Sequence, residues 1–182
     1  MTTVLLAGRK LPHGDWEGDD FTPGAGGRWV TCTDTSLGRM VAYATNGRVN
    51  RDGRVYRAAV HPHDPDGLTL EQAGQAIHTI SGLDLIIERD WDLADVKTHL
   101  RYGRGLMIGG WYSALPRAYR HQLSGDFFHR MWASHLTAAG NVRLWDPLNP
   151  DTTAYGRIVP AQVIYDFIAT LPEYGYVKLQ PL

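Results

Sequence analysis

Hydrophobic positions along the chain alternate between helical and strand periods, and the order of those periods predicts the fold. Leu37, Met40, Val41 and Ala44 recur on one face of a helix over about 33–45, and Asn46-Gly47 is a natural stop. Residues 47–67 then read as polar and turn-rich. Leu70, Ala73, Ile77 and Ile80 form the buried stripe of a second helix, with Thr69 as N-cap, Gln72 three residues on, and Ser81-Gly82 as its end. Leu83 to Glu88 is a short apolar strand, and Asp92 caps a third helix whose Leu93, Val96 and Leu100 face inward before Gly103 stops it.

The second half of the pattern is of strand type. Gly105 to Tyr112 is a continuous apolar run of strand length, as a central strand requires. Ser113 to Ser124 is an irregular crossing. Phe127 to Thr137 and Val142 to Trp145 flank Ala138-Ala139-Gly140-Asn141 and read as a hairpin. Pro160 opens a last helix with Val163, Ile164, Phe167, Ile168 and Leu171 inward, and Tyr174 to Leu179 is a closing strand. Helices first, then an antiparallel sheet with one late helix, is an α+β order. Residues 1–28, with Val4-Leu5-Leu6 as a short strand and Pro23 to Gly27 as loop, read as an extended N-terminal arm ahead of a single domain over 29–182.

Bulk composition narrows the function classes. The 182 residues suffice for one domain with its own core, and 43% hydrophobic with 20% charged residues is ordinary for a globular chain. A net charge of −1 gives no electrostatic case for nucleic acid or an anionic membrane surface. The first residues lack the basic segment and apolar run of a signal peptide, and no stretch is long and apolar enough to span a membrane. A single cysteine rules out an internal disulfide.

That cysteine, Cys32, stands where a loop of small residues gives way to the first helix. A thiol there feels the positive end of the helix dipole and unpaired N–H groups, which favour thiolate and a developing oxyanion. It is a candidate nucleophile; the bland alternative is a small buried hydrophobe. A thiolate nucleophile needs a base in reach, and an imidazole base needs a third group to fix its tautomer. His129 and His135 share one face of the first hairpin strand, and Asp146 ends the second. A turn near Ala139-Gly140 places Asp146 opposite roughly Ala133, so spacing excludes neither histidine. Asp146 also reads simply as a turn former before Pro147. The run His61-Pro62-His63-Asp64-Pro65-Asp66 has metal-ligand residue types, but its two prolines make a stiff loop and no further cluster closes a site. It reads as surface, and neither a metal nor a cofactor is implied.

Two of these stretches resemble papain-like cysteine peptidases, in the branch of bacteriocin-processing peptidases and the peptidase-like domains of phage endolysins and tail proteins. Cys32 to Tyr43 is similar to the family's nucleophile helix. Phe128-His129-Arg130-Met131-Trp132-Ala133 with Leu144-Trp145-Asp146-Pro147-Leu148 is similar to its histidine strand and terminal Asp-Pro-Leu, and Leu93 to Tyr112 is similar to the helix and apolar strand between them. The family's histidine–aspartate spacing of about sixteen or seventeen favours His129 over His135. The resemblance implies a papain-like fold, with N-terminal helices packed on a C-terminal antiparallel sheet. It also implies a Cys32–His129–Asp146 set that cleaves peptide bonds, with the Cys32 N–H in the oxyanion hole and Asn149 as a substitute orienting residue. The implied substrate is peptidoglycan stem or crosslink peptide in a phage context, and the implied setting is a virion or the host cytoplasm. Residues 21–31 hold no glutamine or asparagine where the family places an oxyanion glutamine, and Phe128 stands where the family has glycine. Those departures, with the glycine-rich arm as a docking element for other virion proteins, define the alternative: a tail-tip or baseplate protein on the same fold with little or no catalysis.

Overall fold

The computed structural model describes residues 32–51, 53–60, 68–120, 126–148, 156–171 and 176–180. The N-terminal arm, the His61 to Asp66 run and Asn149 lie outside the described residues. The described helices are α1 (Cys32–Ala44), α2 (Gly53–Val60), α3 (Leu70–Ser81), α4 (Leu93–Arg101) and α5 (Ala161–Ala169). The strands are β1 (Leu85–Glu88), β2 (Leu106–Trp111), β3 (Phe128–Leu136), β4 (Val142–Trp145), β5 (Arg157–Val159) and β6 (Tyr176–Leu179). The strands form one sheet in the order β1-β6-β2-β3-β4-β5, every pair antiparallel. This is the α+β class expected from the pattern.

Strand alternation splits the core in two. Met107, Trp132, Trp145 and Val177 point to one face, where they pack with Leu37, Met40 and Val41 of α1, Tyr56 of α2 and Ala73 and Ile77 of α3. Ile108, Met131, Ala133, Leu144 and Tyr176 point to the other, against Val96 and Leu100 of α4 and Ile164, Phe167 and Ile168 of α5. The helices therefore cover both faces of the sheet. Gly110 makes the second layer possible, because a Cβ there would come within 2.3 Å of the Phe167 carbonyl oxygen. Only a residue without a side chain lets α5 lie so close to β2.

Local signals account for the helix ends. Thr69 and Gln72 form a reciprocal capping box at α3, and Gly82 closes that helix in the left-handed conformation at φ 72°. Asp92 and Asp95 form a second box at α4. Two elements depart from expectation. Residues 53–60, read as turn-rich, fold as α2, whose eight residues GRVYRAAV bury only Gly53 and Tyr56. So short a helix is held by packing rather than propensity. Residues 157–159 form β5, an edge strand too short to show a period. Leu93, expected inward, is among the exposed large hydrophobics.

The hairpin register also differs from the expected one. Ala133 pairs with Leu144 rather than lying opposite Asp146, and a bulge falls between Ala133 and His135. The loop spans Thr137 to Asn141, closed by the Thr137 N–H on the Asn141 carbonyl at 2.7 Å. The bulge decides where the chemistry falls. Beyond it, Trp132 pairs with Trp145, so continuing the register puts Asp146 opposite Met131 and diagonal to His129, on the same face. Without the extra residue, Asp146 would fall opposite Trp132, on the wrong face.

Candidate active site

Cys32 is the first residue of α1, and every residue from Cys32 to Tyr43 is buried. A helix buried on all sides must be held by its neighbours, and its first turn is. Gly53 opens α2 directly against it: a Cβ there would sit 2.8 Å from both the Asp34 carbonyl carbon and the Thr35 nitrogen. Arg57 of α2 donates through Nε to Asp34 Oδ2 at 2.6 Å. From the sheet side, Arg130 Nη1 donates to Thr33 Oγ1 at 2.9 Å, and Ser36 Oγ donates to the Arg130 carbonyl at 3.3 Å.

His129 is the second residue of β3 and pairs with Gly110 of β2. Its side chain is 1% exposed. Nε2 donates to Asp146 Oδ1 at 2.7 Å, and the Cys32 thiol lies near enough to the ring to raise its basicity. With Nε2 committed to the carboxylate, Nδ1 is the nitrogen left for the Cys32 sulfur. Tyr112 and Phe127 hold the ring from the side, edge-on at centroid distances of 4.9 and 6.1 Å.

Asp146 is placed by the turn that follows β4. Oδ1 also accepts the Leu148 N–H at 2.9 Å, a carboxylate capping its own turn, and Oδ2 accepts the Tyr112 hydroxyl at 3.3 Å. One side chain thus both forms the turn and hydrogen-bonds the imidazole. Burial by itself would lower the basicity of His129. The Asp146 charge and hydrogen bond outweigh it, with Cys32 adding to them, and hold the imidazole up at about 10. The ring is therefore poised as an imidazolium between an acceptor carboxylate and a thiol. Such a set can stabilise a thiolate, give a proton to a leaving group, and keep the ring oriented meanwhile.

The structure brings Cys32, His129 and Asp146 together and leaves His135 elsewhere. His135 lies six residues further along β3, about 20 Å at strand rise, where its Nδ1 meets Ser134 Oγ at 2.8 Å and it pairs with Arg143. Burial and Arg143 both lower its basicity. Phe128 does not intrude on the His129 ring; alternation sends it to the opposite face. There its ring fills the space over Gly109 and lies 4.6 Å beneath the Arg130 guanidinium. Two contributors were not singled out from sequence. Tyr112 read only as the last residue of an apolar run, and Arg130 only as part of the histidine-strand motif. Among the described residues no group of three or more His, Cys, Asp or Glu is arranged to hold a metal ion, and no helix is long and apolar enough to cross a membrane.

No protein-family model and no curated relative matches the chain. Among solved structures, a protein from Bacillus anthracis described as a C39-like peptidase superimposes with a TM-score of 0.58 at 12% identity, over 82% of this chain and 88% of that one. At that identity the likeness is one of fold: the chain has the α+β architecture of papain-like peptidases.

Proposed function

We propose that the protein is a cysteine peptidase or amidase. The carrying observation is the buried His129 ring, bonded through Nε2 to Asp146 and also partnered by the Cys32 thiol. In this reading the site rests as a Cys32 thiolate beside the His129 imidazolium, and the thiolate attacks the carbonyl carbon of a peptide bond. The Cys32 backbone N–H at the start of α1 receives the oxyanion. His129 then protonates the departing amine, and with the now neutral His129 as base a water hydrolyses the thioester, restoring the thiolate and the imidazolium. Asp146 keeps the ring oriented throughout. The fold shared with the Bacillus anthracis protein supports the same reading.

For the substrate we propose peptidoglycan stem or crosslink peptides in a phage setting, on the strength of the sequence resemblance. The rival reading is a virion scaffold with little or no catalysis. It draws on the absence of glutamine and asparagine from residues 21–31. The test is digestion of purified sacculi and synthetic crosslinked stem peptides, with mass spectrometry of new termini and Cys32→Ala as blank. New amine and carboxyl termini with wild type alone are expected. Cleavage of other peptides but not cell-wall ones would overturn the substrate; no cleavage at all, with a Cys32 thiol of ordinary reactivity, would leave the scaffold.

A further inference from the structure

The strand that carries His129 and the helix that carries Cys32 are joined one residue away from each reacting group. Arg130 follows His129 and Thr33 follows Cys32, and Arg130 Nη1 donates to Thr33 Oγ1 at 2.9 Å. One helical turn on, Ser36 Oγ donates to the Arg130 carbonyl, so side chain and backbone of the same residue both hold α1. Arg130 is 8% exposed and Thr33 4%. The guanidinium is fixed on its other side by the Phe128 ring, 4.6 Å from the centroid. That ring is itself seated over Gly109, where a Cβ would meet it at 2.9 Å. Alternation along β3 does the rest: His129 turns toward Asp146 while Arg130 turns toward α1.

We infer that Arg130 is a positioning residue which, through Thr33, sets the separation between Cys32 and His129. The inference rests on the proposed peptidase reading and deepens it. A guanidinium suits this task because its planar fork is rigid and loses little freedom when bonded. Thr33 offers a fixed acceptor because its β-branched side chain is restricted in a helix. A sub-ångström loosening here opens the thiol–imidazole contact without touching either reacting group, and such displacements can be costly to an assembled site. Adjacent in sequence to this clamp are Asp34, paired with Arg57, and His129, paired with Asp146.

The experiment is the rate of iodoacetamide alkylation of Cys32 at about pH 6 and about pH 9, with thermal unfolding in parallel. It uses wild type, Arg130→Gln, Arg130→Lys, Thr33→Val, Thr33→Ser and the Arg130→Gln/Thr33→Val double variant. An ordinary thiol is only ~0.3% ionised at pH 6, and the greater nucleophilicity of a more basic thiolate recovers part of that deficit. Loss of the clamp is therefore expected to slow alkylation about tenfold at pH 6 and little at pH 9. Arg130→Gln and Thr33→Val should act alike and the double variant no more than either, as members of one unit do. Thr33→Ser, which keeps the acceptor, should restore the rate, and Arg130→Lys part of it. If Arg130→Gln slows alkylation while Thr33→Val is silent, the guanidinium acts by charge and the positioning role is overturned. It is equally overturned if both variants lower the melting temperature but leave the ratio of the two rates at its wild-type value. A wild-type thiol that is itself slow at pH 6 would instead overturn the peptidase reading from which this one starts.

Discussion

Replacing Asp146 by asparagine removes one charge from a pair in which each side chain is 1% exposed. Shape is nearly conserved: an amide oxygen in the Oδ1 place can still accept the Leu148 N–H, now at 2.9 Å, and the amide nitrogen in the Oδ2 place can donate to the Tyr112 hydroxyl oxygen. What disappears is the counter-charge to His129. The rise of His129 from 6.5 to about 10 corresponds to roughly 5 kcal/mol at about 1.4 kcal/mol per pH unit. Asp146 supplies more of it than Cys32 does. Breaking a buried pair by deleting one partner costs about 3–5 kcal/mol in general, so two routes give one magnitude. The sign follows from linkage. A histidine more basic in the folded than in the unfolded chain contributes stability that is complete below about pH 6.5 and lost as pH rises through about 10. In Asp146→Asn burial, which makes the ring less basic, is opposed by Cys32 only, so most of that contribution is absent. Urea unfolding of both proteins at steps from about pH 6 to 10 reads the difference directly, and groups common to both cancel. The gap between them is expected to be about 3–5 kcal/mol at pH 6 and to close steadily toward pH 10. A gap that stays constant across that interval would refute the imidazolium–carboxylate assignment.

Three further outcomes follow from the same geometry. Tyr112→Phe keeps the ring that stacks on Phe127 at 4.9 Å and deletes only the donor to Asp146 Oδ2, so urea unfolding should show a loss of about 1 kcal/mol, well short of Asp146→Asn. His135→Ala should leave the pH 6 alkylation rate of Cys32 within a factor of about two of wild type. That position is about 20 Å along β3 from His129, and a large fall would mean the two histidines have been assigned the wrong way round. Gly53→Ala would drive a Cβ to 2.8 Å from backbone atoms of Asp34 and Thr35. A cost of about 1–3 kcal/mol in thermal or urea unfolding is expected, and a neutral result would show that α2 can back away from the first turn of α1.

Much of this fold was legible in local chemistry. The capping box at Thr69, the N-cap at Asp92, the glycine at 82 and the unbroken apolar run of β2 each act over a few residues, so sequence alone reveals them. What escaped depends on distant partners. Helix α2 has eight residues of which only Gly53 and Tyr56 are buried, and it exists because those two find α1 and the core. Strand β5 exists because β4 offers it an edge. The hairpin register turned on one bulged residue, invisible in an alternation that places His129 and His135 on the same face. The same limit hid Tyr112 and Arg130: a tyrosine closing an apolar strand and an arginine inside one look ordinary until Asp146 and Thr33 arrive beside them. Choosing between the two histidines required either the family spacing or the fold.

The most direct test of the Cys32–His129 pair is the pH profile of Cys32 alkylation in wild type and in His129→Ala. A positively charged ring held up to about 10 beside the sulfur should make wild-type alkylation fast at about pH 6 and nearly level from there upward. Without the ring the rate at pH 6 should fall by an order of magnitude or more and recover only toward pH 9, as for an ordinary thiol. Superimposable profiles for the two proteins, or a wild-type thiol that titrates like a free one, would contradict the nucleophile–base assignment.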